Sequence, residues 1–225
     1  MTKGLSARQI KLTACVSMLF SHIGIIFWPQ QLWWQIPGRL AFPLFAYMIA
    51  NGAQRSSNVR KYLTRLLIFA ALIQFPYSIF LATGHLNICF TLGLGLAVIM
   101  SWQSSLPLFL RLAAALTACL TAEWLGVEYG WYGIMMIFSS HIFFEDRHKL
   151  AVSWLILNIP FLWDFTSTLL AGSSSPPVQG LCLLALPFIF LYNGQRGNGN
   201  RWEFYAFYIG HLALLYVLRQ ILWGF

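Results

Sequence analysis

The chain has 225 residues, 59% of them hydrophobic and only 9% charged, against about 25% charged in soluble domains. So little charge excludes an ordinary water-soluble domain, because the remaining apolar exterior would aggregate in water. The net charge of +8 is not read as a nucleic-acid footprint: the basic residues lie in short loops between apolar runs, where they set topology.

Crossing a bilayer takes about 20 apolar residues, with a range of about 17–25. The first candidate run, Ile10–Trp28, follows Lys3, Arg8 and Lys11. It is long for a signal-peptide core, carries Ser17, Ser21 and His22, and has no small-residue cleavage site, so it reads as a retained first helix. Further runs follow at Gly38–Gly52, Tyr62–Ala82, Ile88–Trp102, Leu106–Leu125, Tyr132–Phe144, Leu150–Trp163, Gln179–Tyr192 and Phe204–Trp223. Together they predict an all-α, polytopic integral membrane bundle of about nine transmembrane helices. The shorter runs are expected to tilt less or to sit inside the bundle. Residues 1–225 are expected to form one transmembrane domain with no soluble domain.

Loop charge orients the spans. With the N-terminus in the cytoplasm, Lys3, Arg8, Lys11, Arg55, Arg60, Lys61, Arg65, Arg147, Lys149, Arg196 and Arg201 all fall on the inner side, and Arg111 lies at the edge of an inner turn. Arg39 and Arg219 fall toward the outside, with Glu123, Glu128 and Asp164. A multi-pass protein of a bacterial inner membrane is expected. Ala171–Pro177 reads as an extracytoplasmic loop, and the Gly/Asn-rich Asn193–Asn200 as a mobile cytoplasmic one.

Cys15, Cys89, Cys119 and Cys182 make no CxxC pair, and no zinc spacing, P-loop or dinucleotide fingerprint occurs, so neither a disulfide nor a metal is expected. Ionisable groups inside spans are costly and usually face a bundle interior or cavity. His22, Arg39 and His211 meet that description. Lys11 and His22 are eleven positions apart, which returns to nearly the same helix face about 16 Å further along, with Cys15 and Met18 on the stripe between. Arg39 precedes Pro43 by four residues, so the carbonyl that Pro43 cannot satisfy belongs to Arg39 and the helix should break there. His211, preceded by Tyr205 and Tyr208, lies about 10 Å into the last helix, deep enough to meet His22 near the midplane. Each of these also fits a plainer role: a snorkelling cation or a histidine that ties helices together. His85, His141 and His148 are expected near the interfaces.

These residues lie in segments that resemble the TraX family of conjugative-transfer membrane proteins: Ser21-His22-Ile23-Gly24, Gly38-Arg39-Leu40-Ala41-Phe42-Pro43-Leu44-Phe45, Leu86-Asn87-Ile88-Cys89-Phe90, Tyr129-Gly130 with Gly133, and Phe207-Tyr208-Ile209-Gly210-His211-Leu212. They run in family order over nearly the whole chain, and the short length is similar to that of the TrbP-type plasmid members. A wider likeness is to the membrane acyltransferase-3 group, in which a basic residue precedes a first-helix histidine at the spacing of Lys11 and His22. Where the family commonly has an acid before that histidine, this chain has Ser21.

The resemblance implies acetyl transfer from acetyl-CoA to the N-terminal amine of a membrane-embedded pilin or other peptide acceptor. The CoA phosphates would meet Lys11, Arg55, Arg60, Lys61 and Arg65. His22 would be the general base, Arg39 or His211 would stabilise the oxyanion, and Asn87, Tyr129 and Tyr208 would contact the substrate. A covalent route through Cys15 is less favoured, because an apolar site suppresses the thiolate. The partners expected are an acyl-CoA donor, the acceptor peptide and the lipid bilayer, with no nucleic acid. The alternatives are a secondary transporter, since broken helices and midplane polar residues also mark transport sites, and a non-catalytic component of a pilus or mating-pore assembly.

Overall fold

A computed structural model describes residues 4–81, 83–172, 176–200 and 202–224. Lys3, Ala82, Arg201 and the central serines of the Ala171–Pro177 loop lie outside the described residues. The described chain is helical: α1 (Ala7–Phe27), α2 (Leu32–Gly38), α3 (Ala41–Arg55), α4 (Val59–Leu81), α5 (Ile88–Trp102), α6 (Leu108–Trp124), α7 (Gly130–Ile142), α8 (Arg147–Leu170), α9 (Leu186–Phe190) and α10 (Trp202–Trp223). A 3-10 segment, Gln179–Ala185, leads into α9. Each expected apolar run coincides with helix. The eighth run is this 3-10 segment plus one short helix, and the second is preceded by the separate α2.

Four helices, α1, α4, α8 and α10, are long and apolar enough to cross a membrane, at 21, 23, 24 and 22 residues. A rise of 1.5 Å per residue makes them about 31–36 Å long, enough for a hydrocarbon core of about 30 Å. Their outward faces are oily: Leu72 and Phe75 of α4 are 71% and 76% exposed. Lipid explains that surface where water would not, and the chain is a helical membrane bundle.

The chain packs as two compact units, Met1–Phe45 with Ala151–Phe225, and Ala46–Leu150. In the first, α1 begins at a capping box in which Ser6 accepts from Gln9 N–H and Gln9 bonds back to Ser6. α2 folds back along α1. The two backbones meet closely, because a Cβ on Gly24 would lie 2.4 Å from that of Trp34, and one on Gly38 would lie 2.4 Å from that of Ser21. α10 packs on another side of α1. The Asn193–Asn200 loop, expected to be mobile, is instead bonded to the start of the chain: Ala7 N–H donates to Gln195 O at 2.8 Å and Arg8 N–H to Arg196 O at 3.1 Å. Arg8 also pairs with Glu203 at 3.2 Å. Backbone pairing across the N-terminal segment is invisible to composition, so a Gly/Asn-rich stretch reads as looser than it is.

In the second unit α5 is central, packed by α4, α6 and α7. Its small residues permit this: a Cβ on Gly95 would come within 2.6 Å of Ile137. Leu96 and Ile99 are fully buried. Asp146 caps α8, accepting from Lys149 N–H at 3.0 Å, and this bond holds its carboxyl below the usual carboxylate range.

Candidate functional site

The first unit brings His22 and His211 together. His22 Nδ1 lies 2.7 Å from His211 Nε2, and the rings are nearly parallel, at 13° with centroids 5.0 Å apart. The α1 stripe expected from sequence is the face that meets α10: Lys11 at its start sits over the Phe204 ring at 5.3 Å, and Cys15 and Met18 between are buried. His211 is walled by its own helix. Phe207 stacks on it at 4.7 Å and Tyr208 stands edge-on at 5.9 Å.

One further bond fixes the protons. His211 Nδ1 is 2.7 Å from the Phe207 carbonyl oxygen, which can only accept. Nδ1 of His211 therefore carries the hydrogen, and in the neutral ring Nε2 is left as an acceptor. His22 must then donate from Nδ1, and its lone pair stands on Nε2, which makes no hydrogen bond among the described residues. The arrangement is a base held in one tautomer by a second ring, itself set by a backbone carbonyl.

Arg39 lies in the turn between α2 and α3, with Pro37 before it and Pro43 in the first turn of α3, so the helix breaks where Pro43 implied. Its guanidinium donates to Gln179 Oε1 at 3.0 Å and to Gln35 Oε1 at 3.3 Å. No hydrogen bond or ring contact among the described residues joins Arg39 to the histidine pair. Ser21, where the family commonly has an acid, is packed against Gly38 on the α2 side of α1 and so does not face His211.

The remaining expected residues fall elsewhere. Asn87 is fully buried and committed to the fold: it caps α5 by accepting from Cys89 N–H, and its amide donates to Ala70 O at 2.9 Å and Gln74 Oε1 at 2.8 Å. Both ends of its side-chain amide are thus engaged by the fold. Tyr129 adopts a left-handed backbone, φ 67°, beside Glu128, which accepts from Tyr77 at 3.0 Å. Arg55, Arg60, Lys61 and Arg65 cluster where α3 turns into α4; Arg55 donates to Asn51 at 2.8 Å and Arg65 lies over Tyr62 at 5.4 Å. Sequence reasoning missed Gln35, Gln179 and the Phe207 carbonyl. The two glutamines were detectable as amides two positions from a proline, Pro37 and Pro177. The carbonyl has no side-chain signature, although it lies one helical turn before His211.

A helical membrane bundle with a paired-imidazole site inside it is thus the class that fold and geometry define. The chain belongs to the TraX protein family, whose sequence profile matches residues 6–219. It is 30% identical to the probable fimbrial assembly protein FimC, serogroup H1, of Dichelobacter nodosus, over 96% of this chain and 97% of that protein. It is 31% identical to Protein TraX of Escherichia coli, over 93% of this chain and 85% of that one. No solved structure matches the chain.

Proposed function

We propose that the protein is an acetyl-CoA-dependent membrane acetyltransferase that modifies the N-terminal amine of a pilin-type subunit. The observation that carries this reading is the hydrogen-bonded sequence Phe207 carbonyl, His211, His22, which leaves a lone pair on His22 Nε2. The name of one relative, a probable fimbrial assembly protein, supplies the setting, the assembly of a fimbria.

The chemistry follows from the protons. The acceptor's ammonium first releases one proton to water to give the amine that attacks the thioester carbonyl, and the nitrogen must lose a second as the adduct forms. His22 Nε2 takes the proton as the C–N bond forms. The positive charge that results is shared with His211, whose Nε2 accepts from the His22 Nδ1–H and whose own Nδ1–H stays on the Phe207 carbonyl. Collapse of the adduct breaks the C–S bond, and the proton returns to the departing CoA sulfur. In this reading His211 is a positioning residue, because the ring nitrogen nearest the site is occupied by His22, and the oxyanion role falls to another donor. The N-terminal end of α1, with Arg8 and Lys11, faces the cytoplasm and the donor.

The test is direct. Purified protein, isotopically labelled acetyl-CoA and a pilin peptide are mixed and the peptide mass is followed. A gain of one acetyl group on the N-terminal amine, lost in His22→Ala, is expected. Movement of ligand across a vesicle membrane without modification would instead make the protein a transporter, and neither result would leave it an assembly scaffold.

A further inference from the structure

We propose that the cavity at the C-terminal end of α1 binds a phosphate group, supplied by a phospholipid headgroup or by free phosphate. The cavity lies wholly within the first unit and measures about 290 Å³; Pro29, Gln30, Gln35, Arg39, Pro177 and Gln179 are among its walls. That size is at the lower end of the range of about 300–1,000 Å³ for small-molecule pockets, so it suits a headgroup-sized ion and not a whole cofactor.

The polar part of the lining is built around Arg39. Two of Arg39's guanidinium nitrogens bond to the Oε1 atoms of Gln179 and Gln35. A guanidinium only donates, so the amide oxygens must be the atoms turned to it, and each glutamine is left with an NH₂ group that only donates. Arg39 Nε is buried and has no hydrogen-bond partner. No acidic side chain lines the cavity, and neither ion pair among the described residues involves Arg39. The result is a positive charge flanked by two amide donors, with no carboxylate against it. A half-buried cation with one buried, unpartnered N–H gains from a counter-charge, and a multi-oxygen anion fits both the charge and the donors.

Depth selects phosphate. Gly38 touches Ser21, six residues before α1 ends, so Arg39 sits about 9 Å below that end and the cavity rises from it past Pro29 and Gln30. Trp33 at the start of α2 and Trp223 at the end of α10 are 80% and 56% exposed, and Trp223 meets Phe27 at the end of α1 at 5.1 Å. Exposed tryptophans of this kind lie at headgroup level, where phosphate is the abundant oxyanion. This inference does not depend on acetyl transfer.

The experiment uses detergent-solubilised full-length protein and native mass spectrometry, with phosphatidylglycerol as the probe and inorganic phosphate as the competitor. Wild type is expected to hold one phosphatidylglycerol at least tenfold more tightly than Arg39→Gln. Gln179→Glu places a carboxylate against the guanidinium; it is expected to lose the lipid while melting no lower than wild type, which a purely structural Arg39 would not produce. His22→Ala is expected to bind as wild type does. Displacement by inorganic phosphate identifies the free anion as the source, and retention identifies the headgroup; both uphold a phosphate site. Equal lipid binding by wild type, Arg39→Gln and Gln179→Glu, or no binding of either probe to wild type, overturns it.

Discussion

His22 on α1 donates from Nδ1 to His211 Nε2 on α10 across 2.7 Å, which joins two rings 189 positions apart in one hydrogen bond. Among the described residues neither ring has a carboxylate partner. The pair is oriented from its far end by the Phe207 carbonyl.

Removing the outer ring should stop the chemistry. His22→Ala is expected to lower acetyl transfer by about 10²–10⁴-fold, the usual worth of a positioned general base. Membrane fractionation should recover the variant at wild-type level, because His22 is only partly buried and its loss unfolds nothing. Wild-type turnover in that variant would remove the central residue from the reaction.

The inner ring should affect rate and not donor binding. His211→Ala is expected to lower kcat by about 10–100-fold, as loss of an orienting partner does, with the KM for acetyl-CoA little changed. The acidic limb of the pH–rate profile should also move, since His22 would titrate without its acceptor. An unchanged kcat and an unchanged profile would show that the contact is packing only.

The α1–α2 contact should be intolerant of added bulk. Gly38→Val is expected to destabilise the protein by about 1–3 kcal/mol, the cost of overpacking, because its Cβ would lie 2.4 Å from Ser21 Cβ. Pairing it with Ser21→Gly should recover part of the loss. Thermal unfolding in detergent, run as a double-mutant cycle, measures the coupling.

Asn87 should act on stability. Asn87→Ala removes the α5 cap, worth about 0.5–2 kcal/mol, and the amide's bonds to the Ala70 carbonyl at 2.9 Å and to Gln74 at 2.8 Å. The melting temperature should fall while transfer per folded molecule holds. A raised KM for the acceptor with unchanged melting would return Asn87 to the substrate.

Much of this architecture was legible from neighbours in sequence. Run lengths located the helices, with Ile88–Trp102 matching α5 at both ends. The eleven-residue spacing of Lys11 and His22 put them on one face, and both reach α10. Pro43 marked the break at Arg39. The site itself was only partly legible. Asn87 entered as a substrate contact only through the family resemblance, yet its position at the head of a span is also where a helix cap belongs, and there it caps α5.

What the sequence determined by itself was hydrophobic length, helix phase and the site of the broken turn, because each depends on residues within a few turns of one another. That His22 meets His211, which tautomer each ring holds, and that Arg39 is clasped by Gln35 and Gln179 were decided only when α1 packed against α2 and α10. Hydrogen bonds between distant segments are set by the approach of whole helices, and no local periodicity records that approach.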